Sequence, residues 1–193
     1  MSHAQDCDIS LRPVITPSAD GNAFPQVMSY LTNRLRTLTS KANAVGGLEN
    51  SQFAIAAGYD IINKQIVAGT PTKIIYDINI YLNIVDLKGE KVYSTYSKEL
   101  KGIGDNETKA LINTFRKVSN SNREISAFIQ QGKQRIIDYY DTNYLNIIKE
   151  AQALAAMKNF DAAIYSLMMV PQCCKGYDAA VKELKTVYQQ FVN

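Results

Sequence analysis

Apolar positions recur along this chain with two periods, and the switch between them marks its organisation. Residues 8–16 alternate loosely and predict a short strand, which Pro13 confines to a sheet edge or interrupts. From Phe24 the apolar positions are Phe24, Val27, Met28, Leu31, Leu35, Leu38 and Val45. Steps of three and four predict an amphipathic helix closed by Gly46-Gly47. The period then falls to two. Phe53, Ile55, Ala57, Tyr59 and Ile61 share one side of a strand, and Ala68-Gly69-Thr70-Pro71 supplies a turn. Ile74, Tyr76, Ile78, Ile80, Leu82 and Ile84 then alternate with polar residues, which predicts a long strand with one buried face. Asp86-Leu87-Lys88-Gly89 turns the chain into a third strand, Lys91 to Leu100.

The second half reads as helix. Gly102-Ile103-Gly104 is expected to close the sheet as a strand-to-helix turn, with Asp105 as an N-cap. Leu111, Ile112, Phe115 and Val118 stripe the next helix, and Asn120-Ser121-Asn122 interrupts it. Ser121-Asn122-Arg123-Glu124 has the form of a capping box, so a further helix should begin there and run to about Tyr140. Beyond Asp141-Thr142-Asn143 three helices are predicted, at 144–157, 160–169 and 177–192. The fold class is therefore α+β: an antiparallel sheet (a three-stranded meander plus an N-terminal strand) covered by helices, followed by an all-α C-terminal module. The expected boundaries are a tail at 1–7, an α+β domain at 8–141 and a helical module at 142–193. Lys158 to Ile164 is similar to the turn between the helices of a tetratricopeptide repeat. About one and a half such units fit, an appended hairpin rather than a solenoid.

Composition narrows the function more than it names it. The chain has 193 residues, 46% hydrophobic, with 15 Gly and Pro together (10 + 5), which is globular. Its net charge of +3 falls short of the basic stripe of a nucleic-acid binder. Arg34, Arg36 and Lys41 share a helix and Lys88 and Lys91 flank a turn, but no stacking aromatics are interleaved with them. Hydrophobic runs are too short and too interrupted for a membrane span. The single histidine, His3, lies near the N-terminus, which argues against histidine triads and histidine zinc sites. Phosphate-loop, zinc-protease and nucleophile-elbow motifs are absent, and Gly102-Ile103-Gly104 lacks the third glycine of a dinucleotide site. Asp77 and Asp86 fall on opposite faces by parity, and Glu99 and Asp105 merely flank the glycine turn. No cofactor, metal or catalytic residue is expected, and the protein reads as a non-enzyme.

Twelve tyrosines and no tryptophan are a compositional bias. Tyr81 has the parity of Asp77, Asn79 and Asn83 and should stand on the sheet's polar face. Tyrosine there gives large contact area at low entropy cost, which suits protein recognition. Tyr81, Tyr93, Asn79 and Asn83 are the candidate partner-binding residues, although cross-strand packing accounts for such tyrosines equally well. Small residues at Ser2 and Ala4 match the positions before a signal-peptide cut, so export to the periplasm or beyond is expected. An ordinary cytoplasmic start suits the same residues. The cysteines are Cys7, Cys173 and Cys174, with no Cys-x-x-Cys. In an oxidising compartment Cys7 would be able to pair with Cys173 or Cys174; the alternative is three unpaired thiols.

A helix from Phe24-Pro25 to Leu38, a Phe53-Ala54-Ile55 strand, a long strand ending Ile84-Val85-Asp86 and a Leu100-Lys101-Gly102-Ile103-Gly104 run before a helix follow one another here. That order resembles the envelope domain of CsgG-like secretion proteins, penicillin-binding-protein activators and the TolB N-terminal domain, over about residues 8–141. With its helical tail the chain also looks like exported proteins of Bacteroidota. The resemblance implies a small α/β domain that scaffolds partners in the periplasm. It brings no functional residue, and the chain departs from it in having no lipobox cysteine and no amphipathic barrel strands. The expected function is an exported accessory or scaffold protein that binds other envelope proteins. The alternative is a structural subunit of a ring-shaped homo-oligomer, of a secretion or virion-like kind. A third class, an enzyme or small-ligand receptor, would need a deep polar pocket that the sequence does not announce.

Overall fold

Alternation over 74–84 demands a strand with one dry face, and the computed structural model builds the sheet around it. The structure describes residues 9–16, 24–39, 51–87, 91–119 and 122–192. In chain order the elements are β1 (Leu11–Ile15), α1 (Pro25–Thr39), β2 (Phe53–Val67), β3 (Lys73–Asp86), β4 (Val92–Gly104), α2 (Glu107–Phe115), α3 (Arg123–Ala156), α4 (Phe160–Met168) and α5 (Tyr177–Val192). Strand order is β1-β2-β3-β4. On β3 the side chains of Tyr76, Ile78, Ile80, Leu82 and Ile84 are all buried. The fold is α+β with a helical C-terminal part.

One strand departs from the antiparallel reading. β1 pairs with β2 in parallel, Leu11 opposite Phe53 and Ile15 opposite Ala57, so the sheet is mixed. The cause is α1, which lies between them in sequence. A helical crossover returns the chain to its starting end, whereas an antiparallel pair needs only a hairpin. As Pro13 required, β1 is an edge strand. Val27, Leu31, Leu35 and Leu38 form the buried stripe of α1, which packs on β1 and α2. Residues 40–47, including the predicted glycine stop, lie outside the described residues.

The chain divides into two compact units, Ser10–Gly132 and, together with Ile9, Lys133–Asn193, and the division falls within α3. In the first, α2 and the start of α3 cover the inner face of the sheet. Phe115 meets Tyr59 edge-on with centroids 5.1 Å apart, and Phe128 lies 5.8 Å from Tyr96. In the second, α4 packs on α5, with Ala163, Leu167, Ala180 and Val187 buried. Gly176 sits against the Tyr144 ring, and the backbone amide of Lys175 donates to the Asp141 carboxylate at 2.8 Å.

Three boundaries differ from the sequence expectation. Gly102-Ile103-Gly104 is not a turn but the end of β4, paired with Tyr76, Ile75 and Ile74. Its glycines serve packing. A Cβ on Gly102 would lie 2.0 Å from Thr114 Oγ1 and 2.4 Å from the Ala110 carbonyl, and one on Gly104 would lie 2.3 Å from the Ala110 nitrogen. The missing side chains therefore let α2 lie directly on β4. The N-cap of α2 is Asn106, whose side chain accepts from the Lys109 amide at 2.9 Å, while Asp105 pairs with Lys73 and Lys109. Finally, α3 does not stop near Tyr140. Asp141-Thr142-Asn143 contains neither Gly nor Pro, and the helix continues through it to Ala156, with the Asn143 side chain donating to the Tyr139 carbonyl one turn back at 2.8 Å. At its start Asn122 accepts from the Glu124 amide, and Ser121 lies outside the described residues.

The close approach of α2 to β4 gives a stability test. Gly102→Ala is expected to destabilise the first unit by ~1–3 kcal/mol, the range for overpacking a core. Gly69→Ala, whose new Cβ would meet nothing nearer than 3.4 Å, should leave stability nearly unchanged. Urea denaturation of both variants checks this, and equal midpoints would refute the packing role.

Candidate functional site

The face of the sheet opposite the helices carries the candidate residues. Even-numbered β3 residues point to the core, so Asp77, Asn79, Tyr81 and Asn83 point the other way and are half-buried. Register sets their neighbours: Tyr81 lies between Gly58 and Ser97, Asn79 between Asp60 and Glu99, and Asn83 between Ala56 and Thr95. Thr95, Ser97, Glu99 and Asp60 are exposed. The face is thus a polar row with one aromatic ring in it.

Tyr81 is held by what its neighbour lacks. A Cβ on Gly58 would stand 2.3 Å from Tyr81 Cε2, so the ring lies flat across the glycine and covers bare backbone. A ring seated in that way has little freedom left to lose on contact with a partner. Beside it Ser97 donates from Oγ to Asn79 Oδ1 at 2.8 Å. At the far end Lys101 pairs with Asp77 at 3.2 Å, and Asn63 donates to the same carboxylate at 3.4 Å. These groups, with Ile62 and Glu99, line an open groove of about 490 Å³.

Tyr93 does not belong to this face. The β3–β4 register places Ser94 opposite Ile84 and Val92 opposite Val85, which leaves Tyr93 as an extra residue in a bulge. Its ring turns into the core, 5% exposed, and meets Phe53 edge-on at 5.8 Å. Tyr93 is a packing residue, and the structure brings together only Asn79, Tyr81 and Asn83.

A charged cluster on the inner side escaped the sequence reading. A second bulge, in β2 between Ile61 and Asn63, shifts the parity of all that follows. Lys64 is thereby turned inward, where its ammonium bonds Glu107 and lies 5.8 Å from the Tyr76 ring centroid. Tyr76 also donates to Glu107 Oε2, at 2.9 Å. The hydrogen bonds from Lys64 and then Tyr76 hold the Glu107 carboxyl below its ordinary pKa, and Asp105 is lowered likewise, chiefly by Lys73. Burial is the main cause that raises the Tyr76 hydroxyl. Lys64–Glu107 and Lys73–Asp105 together tie the β2–β3 hairpin to the start of α2.

The cysteines separate. Cys173 is disulfide-bonded, Cys174 carries a free, buried thiol, and Cys7 lies outside the described residues. Burial, reinforced by the Asp141 carboxylate, pushes the Cys174 thiol up to about 12. A thiol with so high a pKa supplies almost no thiolate at neutral pH and is a poor nucleophile. Among the described residues no cluster of three or more His, Cys, Asp and Glu side chains stands ready to hold a metal. No described helix is long and apolar enough to cross a membrane.

Two outcomes follow. In a carboxyl-resolved NMR titration Glu107 should lose its charge below the usual glutamate range, and Lys64→Met should bring it back towards that range. Because the folded pKa is depressed, the tie contributes at neutral pH and is lost as pH falls through that lowered value. The second concerns Cys174, which should resist iodoacetamide at pH 8 in the native protein and react once unfolded. Rapid native labelling would contradict its burial.

No family model and no curated protein matches the chain. Among solved structures it is similar to the PelC dodecamer from Paraburkholderia phytofirmans, at 12% identity and TM-score 0.35, covering 56% of this chain and 85% of that one. It is also similar to a minor lipoprotein from Acinetobacter baumannii, at 16% identity and TM-score 0.32, covering 66% of this chain and 90% of that one. Nothing about ligands or assembly carries over at such scores.

Proposed function

We propose that this chain is a non-catalytic accessory or scaffold protein of the cell envelope, which binds another protein on the outer face of its sheet. The observation that carries the reading is the Tyr81 ring seated on Gly58, flanked by Asn79 and Asn83 and by exposed Thr95 and Ser97. A pre-positioned aromatic supplies apolar contact area, and the amides and hydroxyls around it supply donors and acceptors that fix orientation. Tyrosine is among the residues from which interface anchors are most often drawn. The Cys173 disulfide supports an oxidising compartment, where such bonds persist. The groove beside Asp77 is open and crossed by an ion pair, a surface better suited to a protein than to an enclosed small molecule.

The test is cross-linked capture from envelope extract with wild-type protein and two variants. Tyr81→Ala removes the anchor, and Asn83→Lys adds bulk and charge beside it without touching the ring on Gly58. Each is expected to weaken capture of the same partner by about tenfold or more, the scale of an interface anchor, with thermal unfolding still cooperative. Undiminished capture by both variants would remove the outer face from the function.

A further inference from the structure

Backbone groups on the free edge of β4 are distributed unevenly, and the unevenness points to a partner. Thr16 donates its amide to the Ala57 carbonyl, so odd-numbered β2 residues face β1 and even-numbered ones face β3. Carried across the registers, even-numbered β4 residues bond to β3 and odd-numbered ones face away from the sheet. Side-chain bonds confirm this parity. Lys117 Nζ donates to the Lys101 carbonyl and Asn113 Nδ2 to the Ile103 carbonyl, each at 2.8 Å. Those two residues close the C-terminal half of the edge. Nothing among the described residues closes the other half: the amides and carbonyls of Thr95, Ser97 and Glu99 face outward, in a stretch free of proline and of bulges.

We propose that this open half of β4 is a self-pairing edge, on which a second copy of the chain adds its own β4 antiparallel about a two-fold axis through Ser97. Parity and the capped carbonyls select this register over its neighbours. Centred on Ser97, each free amide of Thr95, Ser97 and Glu99 meets a free carbonyl in the other copy, and neither capped carbonyl is needed. Centred on Leu100, the charges would match, Glu99 against Lys101 of the other copy, but the pairing would have to displace Lys117 and Asn113. Centred on Lys98, two ammonium groups would oppose each other.

Side chains in the chosen register are their own complement. Across the axis Lys98 stands opposite Tyr96 of the other copy, each tied to Glu124 of its own chain (Lys98 Nζ at 2.6 Å, the Tyr96 hydroxyl at 3.3 Å), and Glu99 stands opposite Thr95. Lys98 and Tyr96 lie on the inner face and Glu99 and Thr95 on the outer, so no like charges meet. A foreign strand would have to reproduce this arrangement, whereas a second copy supplies it by symmetry. The paired copies would form one continuous eight-stranded sheet. The inference does not depend on the partner-binding reading above, because it concerns purified protein alone.

Sedimentation equilibrium of the purified chain tests it. The contact is short, so wild type should move from 21.5 kDa towards twice that mass between about 10 µM and about 1 mM. Ser97→Pro deletes only an outward amide and leaves the β3 ladder intact, because proline is tolerated on an edge strand. Ser97→Lys places two ammonium groups on the axis. Both variants should keep the wild-type far-ultraviolet circular dichroism and remain at 21.5 kDa throughout. A wild type that stays monomeric, a mass that climbs past the dimer, or variants that associate as wild type does would each overturn the proposal.

Discussion

Everything in the first unit depends on β3 being hydrogen-bonded along both edges while only one of its faces is dry. A strand in that position cannot slip by one residue without exposing Tyr76, Ile78, Ile80, Leu82 and Ile84 together. At roughly 1.5–3 kcal/mol for each large apolar side chain kept from water, a slip would cost about as much as a small domain's whole net stability. Register is therefore locked, and it propagates outward. It places Gly58 opposite Tyr81 on one side and brings Gly102 and Gly104 under α2 on the other. The Tyr81 row and the helix seat result from the same lock.

Period two made β3 legible from the sequence to within a residue or two, because its alternation is unbroken. The same counting failed wherever the ladder is interrupted. Tyr93 has the odd number of an outward residue, yet a single extra residue turns it into the core. Lys64 would point outward on an unbroken count and is turned inward by the bulge at Ile62. A bulge changes two or three dihedral angles and needs no particular residue, so it leaves little trace in composition. Glycine misled in the other direction. Gly102 and Gly104 suggest a turn because glycine commonly supplies one, but here it supplies close approach. The long α3 was hidden by Asp141-Thr142-Asn143, three residues that often end helices. Local propensity is worth only a few tenths of a kcal/mol per residue, and here the side chains of Asn143 and Asp141 bond to the Tyr139 carbonyl and the Lys175 amide instead of ending the helix.

The charged residues around the hairpin illustrate how little exposed ion pairs need to contribute in order to matter. Lys64, Lys73, Asp105 and Glu107 are each more than a third exposed, and pairs of that kind contribute ~0–1 kcal/mol. They do not hold the sheet together. They join the far end of the β2–β3 hairpin to the start of α2, where a carboxylate also meets the helix's unpaired amides. In this respect Glu107 serves the helix and the hairpin at once, and the Tyr76 hydroxyl completes it from within the core.

Face and edge of the sheet have been treated differently by the sequence, and the contrast separates their roles. An open strand edge invites indiscriminate pairing, and proteins block it with bulges, charges or side chains laid across the backbone. All three devices are present here. The bulge at Ile62 interrupts β2 beyond the reach of β1, and Lys117 and Asn113 lie across the end of β4. Protection that stops at Lys101 leaves the Thr95–Glu99 stretch of β4 with neither a bulge nor, among the described residues, a side chain across it, whereas the other edge strand, β1, carries Pro13. On the outer face the logic is reversed. Polar residues keep it from sticking, and the single ring of Tyr81 is pressed onto Gly58 so that its apolar surface is only half offered to water. Under the proposed function, a surface built in this way resists casual contact yet keeps an anchor ready, which is the combination that selective binding requires.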